Sequence, residues 1–415
     1  MRLFLLSIAF LPNLIFAGGF QLNVQGQEGL GTGGASVARY SDASSIFFNP
    51  GASAFLSSNY NFTFGTSLIF PAVSVQTEFV TNEDQTSPIA TPVQFYGAGK
   101  ANEKLTIGFG INNQFGSTSR FDDNWEGKYI VQEQSLKTFM YQPTLSYKII
   151  DRLSIGAGFV YTTGSFGFKK AVPVATSEYD YGQVNLSGKG SATSYNIGIQ
   201  GIVLKGDSTQ FIKQLSVGAS YRSKINLELN NGTAQFSNIS VALQDKFPEE
   251  TAFTASLVLP SVISSGLQLE LKPMDNIAIT VVFDLVRTNW SSYDSLKIDF
   301  KNPETPDTST PKKWKDVNTY RGGFSIGYKE KLEIRLGGYY DQSPILDGYV
   351  SPELPGKDNL SFTTGLGYQI NSLVSVDISW LYSNFSRTET NNVYGFNGEY
   401  RRMVNVVGLG LNIAL

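Results

Sequence analysis

The 415-residue sequence contains neither histidine nor cysteine, which removes most of the side chains that do covalent chemistry near neutral pH. No His-assisted nucleophile, thiolate metal centre or disulfide framework can be built from it. A site made of carboxylates alone has no recognisable spacing here, so no catalytic residue, cofactor or metal is assigned. Gly29-Leu30-Gly31-Thr32-Gly33-Gly34 has the spacing of a dinucleotide-binding turn, but no strand pattern precedes it and no helical pattern follows, as that turn requires. Gly188-Lys189-Gly190 lacks the spacing and the hydroxyl residue of a phosphate loop. Binding chemistry is left to charged side chains on alternating segments. Lys148 stands opposite in parity to Tyr147 and Ile149, Arg321 to Tyr320, Phe324, Ile326 and Tyr328, and Arg335 to Ile334 and Leu336. Cations placed this way would face an interior and could hold a ligand carboxylate. Asp284, Glu333, Asp341 and Asp377 share that face, so an interior ion-pair network accounts for the same pattern.

The elements that position these residues are strands. Phe139, Tyr141, Pro143, Leu145, Tyr147 and Ile149 alternate with Met140, Gln142, Thr144, Ser146 and Lys148, and only Met140 breaks the polar side. Leu153 to Thr162 and Val374 to Tyr382 repeat the pattern, with Val160 and Leu381 on the polar side. Period-two alternation marks strands with one apolar and one polar face. Fourteen such segments run from residues 59–70 to 402–415. Tight connections such as 101–104, 150–151, 272–275, 330–331 and 371–372 alternate with long ones, for example Ser291 to Asn318. The apolar faces end in Tyr, Trp or Phe, as membrane-interface girdles do. Net charge is −3 and 41% of residues are hydrophobic. After residue 17 no apolar run reaches the roughly 18 to 20 residues of a spanning helix. Spanning elements must then be strands closed into a barrel. The near-balanced charge argues against nucleic acid as a partner.

Residues 1–17, with Arg2 ahead of the run Leu3 to Leu11, read as an export signal cut before Gly18. Residues 18–58 are rich in Gly and Ser, poor in charge and outside the strand rhythm. A fourteen-stranded lumen has room for a segment of this size, although a periplasmic tail would have the same composition. Residues 59–415 form the barrel.

Gly18-Gly19-Phe20-Gln21-Leu22-Asn23, Gly29 to Ala35, and Asn49-Pro50 before the first strand resemble the N-terminal hatch of the FadL/TodX family. Leu259-Pro260, Thr288-Asn289-Trp290-Ser291 and Tyr339-Tyr340-Asp341-Gln342-Ser343-Pro344 follow in the order that family shows. The resemblance implies an all-β, fourteen-stranded antiparallel transmembrane barrel in the outer membrane of a Gram-negative bacterium, plugged by residues 18–58. It implies passive uptake of long-chain fatty acids or aromatic hydrocarbons, with lateral exit into membrane lipid at a kinked third strand. On it, Asn49 and Pro50 would meet that strand, Leu105 to Gln114, and Phe20 would line the inner site. Gly51 departs from the alanine usual after Asn-Pro. Within the third strand, Gly108 and Gly110 fall opposite Ile107, Phe109 and Ile111, where glycine marks a bulge or a close backbone approach. In the outer loops, Val172, Val174, Phe236, Ile239, Val241 and Phe247 recur beside Lys169, Lys170 and Lys246. They suit an amphipathic carboxylate or, alternatively, pack to order the loops. The competing readings are a general diffusion porin and a purely structural outer-membrane barrel. The oligomeric state is open, with a monomer as the default.

Overall fold

The computed structural model describes residues 19–79, 82–207 and 210–415; the expected export signal therefore lies outside the described residues. Fourteen antiparallel strands close into a barrel. They are β1 (Tyr60–Gln76), β2 (Val93–Lys100), β3 (Leu105–Asn112, resuming as Gly116–Arg120), β4 (Glu133–Ile150), β5 (Leu153–Val172) and β6 (Gly182–Lys205). Then follow β7 (Ile212–Arg222, resuming as Ile225–Ser237), β8 (Glu250–Leu259, resuming as Val262–Met274), β9 (Ile277–Thr288) and β10 (Val317–Tyr328). The circuit ends with β11 (Leu332–Asp341), β12 (Asn359–Gln369), β13 (Val374–Asn391) and β14 (Phe396–Ala414). Closure comes from β14 on β1, in register from Asn61 opposite Ala414 to Gln76 opposite Glu399. With every strand paired on both sides, the backbone is satisfied without water, which lipid demands.

The tight turns are locally encoded. The Asn102 side chain accepts from the Lys104 and Leu105 amides, both at 2.9 Å, and Asn371 does the same for Leu373 and Val374. At the β10–β11 turn Lys329 and Glu330 both take positive φ (52° and 55°), the conformation that matches the twist of a hairpin. The stretch 291–318 is not a plain loop. Ser295–Phe300 and Thr308–Pro311 form a hairpin that pairs back on β8, Phe253 with Phe300 and Ala255 with Ile298. Its period-two set Leu296, Ile298 and Phe300 is short and lies between charges, so it hides among loop residues.

Outward faces carry exposed apolar residues such as Leu145, Ile155, Ile197, Phe283 and Leu366. Above them runs a girdle with Tyr141 beside Tyr161, Tyr195 beside Tyr221 and Tyr320 beside Tyr340, their ring centroids 6.3, 6.0 and 6.3 Å apart. The lumen has two storeys. The outer one is a buried apolar cluster that includes Leu136, Met140, Val160, Phe166, Leu227 and Phe253. The inner one holds residues 19–58.

That inner segment is mostly irregular, with short helices α1 (Gln27–Gly31) and α2 (Ser45–Phe48) and a 3-10 turn Pro50–Phe55. Strand side chains fasten it around the circuit. Asp284 accepts from the Ser36 and Val37 amides at 2.6 and 3.0 Å. Ser154 donates to Gly51 O at 2.7 Å, Gln200 to Ala38 O at 2.9 Å and Ser220 to Phe48 O at 2.8 Å. The glycine run lies on the wall. Gly33, at φ +76°, rests against the carbonyls of Gly322 and Gly338, and a Cβ on Gly31 would stand 3.1 Å from the Gly365 Cα. Close backbone packing thus explains the glycine spacing that resembles a nucleotide turn.

Candidate functional site

The decisive local event is in β3. Up to Asn112 the residues with even numbers face the lumen, and Asn112 pairs with Met140 of β4. From Gly116, opposite Lys137, even numbers face outward. Four residues of β3 therefore span three of β4, a one-residue bulge that flips the faces. β2 stops pairing at Phe95–Ile111, and the chain before it follows β1 instead, with Ser67 N to Pro92 O at 3.1 Å and Ile69 N to Ala90 O at 2.9 Å. The next backbone tie to β3 is Thr86 N to Arg120 O at 2.8 Å. Between these points no backbone ladder joins β3 to its neighbour on the β1 side among the described residues. The vacated groups are taken up from inside: Leu22 N donates to Gln114 O at 2.8 Å and Gly116 N to Phe20 O at 3.0 Å. Residues 20–22 thus line a break in the wall.

Phe20 sits at the junction. Its ring lies 6.1 Å from Phe115, 4.8 Å from Trp290, 5.5 Å from Tyr293 and 5.6 Å from Trp314. It is the floor of the apolar storey and touches the bulge through Phe115. Below it, a cavity of about 40 Å³ is lined by Gln21, Phe47, Phe48, Gln114, Asn196, Arg222 and Arg321 among others. Arg321 donates to Asn23 Oδ1 at 2.8 Å and Gly34 O at 3.1 Å. Arg222 donates to Phe47 O at 2.9 Å and Gln142 Oε1 at 3.1 Å, with its guanidinium 4.6 Å from the Phe47 ring. Neither makes an ion pair with a carboxylate among the described residues. The amide atoms of Asn196, buried in this wall, have no partner.

Other residues singled out by the sequence lie elsewhere. Arg335 is held by Glu333 and Asp377, so the ion-pair network accounts for it. It borders a polar cavity of about 400 Å³ that also touches Glu28, Asp42 and the Glu330–Lys331 turn. There Glu28 receives Arg39 at 2.6 Å and Ser41 Oγ at 2.7 Å. Burial pushes the Glu28 carboxyl up to about 7 against the pull of Arg39, and burial likewise raises Asp42. Lys148 is half-buried at the turn end, its amide bonded to Lys104 O and its ammonium 5.7 Å from the Phe55 ring. It is far along the strand from the apolar storey.

Asn49 does not reach β3. Its side chain donates at 3.0 Å to Val37 O, Ile199 O and Gln200 Oε1, and accepts from Gly51 N at 3.0 Å. Asn49 meets β6, and Pro50 and Gly51 lie against Gly156 of β5 and Gly198 of β6. Gly108 and Gly110 are likewise not the break. They pair regularly with Ala98 and Tyr96. A Cβ on Gly108 would stand 2.7 Å from Ile46 Cδ1 of the hatch, and one on Gly110 2.8 Å from Tyr96 Cδ1 of β2, so hatch packing accounts for the first and the neighbouring strand's tyrosine for the second. In the loops Val172, Ile239 and Phe247 pack on the apolar cluster, whereas Val241 is 83% exposed. Lys312 meets Glu353 at 3.0 Å in a buried pair. Burial opposes its charge, but Glu353 holds it above the ordinary lysine range.

The family described as outer membrane protein transport protein (OMPP1/FadL/TodX) matches residues 8–414. The chain belongs to this family. It lies in the outer membrane. A putative outer membrane protein of Neisseria meningitidis is 24% identical over 92% of this chain and 90% of its own length. A long-chain fatty acid transport protein of Escherichia coli is 23% identical over 95% of this chain and 94% of its own. Among solved structures, a Pseudomonas aeruginosa FadL homologue superposes with a TM-score of 0.78 at 17% identity, covering 96% of this chain and all of that one. The Pseudomonas putida toluene transporter TodX gives 0.72 at 14%, covering 97% and 99%. These likenesses carry the fold of a FadL/TodX barrel; the site rests on the geometry above.

Proposed function

We propose that this FadL/TodX-family barrel takes hydrophobic molecules with an acidic head, long-chain fatty acids foremost, passively across the outer membrane and releases them sideways at β3. The observation that carries the reading is the continuity of the apolar storey with the bulge through Phe20 and Phe115. An acyl chain gains about 0.8 kcal/mol per methylene on leaving water, so roughly fifteen methylenes favour the apolar storey by about 12 kcal/mol before ordering costs. Arg222, and Arg321 with Asp284 across the ladder but no direct ion pair among the described residues, supply charge-assisted donors for the head. Phe20, Arg222 and Arg321 are the binding residues on this reading, and the amide of Asn196 is an added donor. Asn49 and Pro50 hold the hatch. Aromatic hydrocarbons would use the same apolar storey and leave the two guanidiniums idle.

The lumen disfavours a general porin, since hatch and strands meet through direct hydrogen bonds rather than a continuous channel. Complementation tests the reading. A transporter-deficient Gram-negative host carrying this gene should grow on oleate and accumulate labelled oleate. Absence of uptake by correctly inserted protein would overturn it, and a preference for small hydrophilic solutes would support the porin.

A further inference from the structure

Strands β4, β5 and β6 run for 18, 20 and 24 residues, about twice the nine to eleven that cross the hydrocarbon when tilted. On the opposite wall β10, β11 and β12 have 12, 10 and 11. The low wall is confined to β9–β12, since β13, β14 and β1 have 18, 19 and 17 residues; the β4–β6 face rises past its girdle of Tyr141, Tyr161 and Tyr195 into the headgroup layer of the outer leaflet. The outward rungs above the girdle are read from the register. Phe139, Thr163 and Ser191 form one, Lys137, Ser165 and Lys189 the next, and Ser135, Gly167 and Ser187 the third. Lys137, Lys189, Ser187 and Ser191 are exposed, and Ser135, Thr163 and Ser165 are half-buried.

Of the other basic residues near this rim, Arg120 pairs with Glu133, half-buried Lys169 with Asp123, Arg287 with Asp316 and Arg401 with Glu399, whereas exposed Lys224, next to the Ser223–Tyr195 contact, has no ion pair among the described residues. Lys137 and Lys189 form no ion pair among the described residues. The nearest outward carboxylate on the ladder, Glu228 opposite Ser191, is engaged by Ser256 Oγ at 2.8 Å. Two strand spacings put the lysine backbones about 10 Å apart, a gap that two four-carbon stems can close on one phosphate. We propose that this face binds a phosphorylated glycolipid of the outer leaflet. Lys137 and Lys189 hold a phosphate, and the five surrounding hydroxyls meet the sugar. The complementarity is of charge and of level: two cations without an ion-pair partner in a bed of hydroxyls, at the height where such a headgroup lies. Lys137 is also the rung at which β3 resumes pairing, opposite Gly116. A lipid held there stands at the outer edge of the bulge and separates the side opening from the outer leaflet.

The test uses the full protein in detergent, with bisphosphorylated lipid A as the probe and retention read by native mass spectrometry. Wild type should retain the lipid. Lys137→Gln/Lys189→Gln should bind it about tenfold or more weaker, and Lys137→Arg/Lys189→Arg should bind like wild type. Dephosphorylated lipid A should bind wild type no better than it binds the glutamine variant. Equal retention by the glutamine variant, equal binding of the dephosphorylated lipid, or full displacement by an equal concentration of inorganic phosphate would each overturn the proposal. Both lysines are exposed on the barrel exterior, so heat-modifiable migration should be unchanged in either variant.

Discussion

Asn49→Ala should release the hatch while leaving the barrel intact. Asn49 is fully buried and its side chain makes four hydrogen-bond contacts, its two amide hydrogens shared among three acceptors and its oxygen accepting one. Alanine removes all four and strands the Gln200 amide oxygen and the Gly51 N–H in a site that water does not reach. Each buried group left without a partner costs about 1–3 kcal/mol. Part of this is recovered by relaxation, because the Val37 and Ile199 carbonyls have other lone-pair directions. The net loss is then about 3–4 kcal/mol of docking free energy, which raises the undocked fraction by roughly two to three orders of magnitude at 1.4 kcal/mol per tenfold. None of the four bonds belongs to the strand ladder. In planar bilayers the variant should show frequent large openings approaching the conductance of a barrel lacking residues 18–58. Its heat-modifiable transition should stay within a few degrees of wild type. Wild-type conductance in a correctly inserted variant would refute the hatch-anchor reasoning, and a parallel fall in barrel stability would show that Asn49 serves the wall instead.

Three further outcomes follow from the same geometry. Glu28 in the docked hatch has its pKa raised to about 7 from 4.5, so its contribution to docking is complete below about 4.5 and is lost as pH rises through 7. Protection factors of the α1 amides, with the intrinsic pH dependence of exchange divided out, should therefore fall between pH 5 and 8, and Glu28→Gln should flatten that fall. Arg222→Gln and Arg321→Gln should each weaken oleate binding about tenfold, the worth of one charge-assisted contact, while binding of an uncharged hydrocarbon of similar size is unchanged; equal losses for both ligands would mean that the arginines only support the fold. Replacing Val172, Ile239 and Phe247 by Ser should lower thermal stability and ligand binding together, because these side chains pack on the apolar cluster rather than face solvent.

Strand count and facing were readable because lipid and lumen impose a strict period of two. The breaks in that period were informative too. Met140, Val160 and Leu381 are buried on the lumen side; Met140 and Val160 belong to the apolar outer storey, and Leu381 packs with Val24 and Leu30 of the hatch. Arg222 stands opposite in parity to Val217, Ala219 and Tyr221, the same signal that marks Arg321, and it was equally legible. The bulge was not. One extra residue between Asn112 and Gly116 shifts parity in a stretch, Asn113-Gln114-Phe115, where a polar pair and one aromatic fit either phase. The partner of Asn49 was hidden for a different reason. Asn-Pro fixes a local turn, but which wall it meets depends on the path of the whole hatch, and glycines at Gly156 and Gly198 read as lumen packing until that path is known.

The central claim, release through the wall at β3, is tested most directly by deleting Gln114 alone. Removing one residue restores an even register from Asn112 to Gly116 against β4 and keeps Ser119 facing inward, so the bulge closes without any new side chain. Uptake of labelled oleate by the complemented host should fall to background, while the purified barrel migrates normally and still binds oleate. Wild-type uptake by this variant would contradict the account and place the exit at the periplasmic mouth beside Glu28 and Arg335.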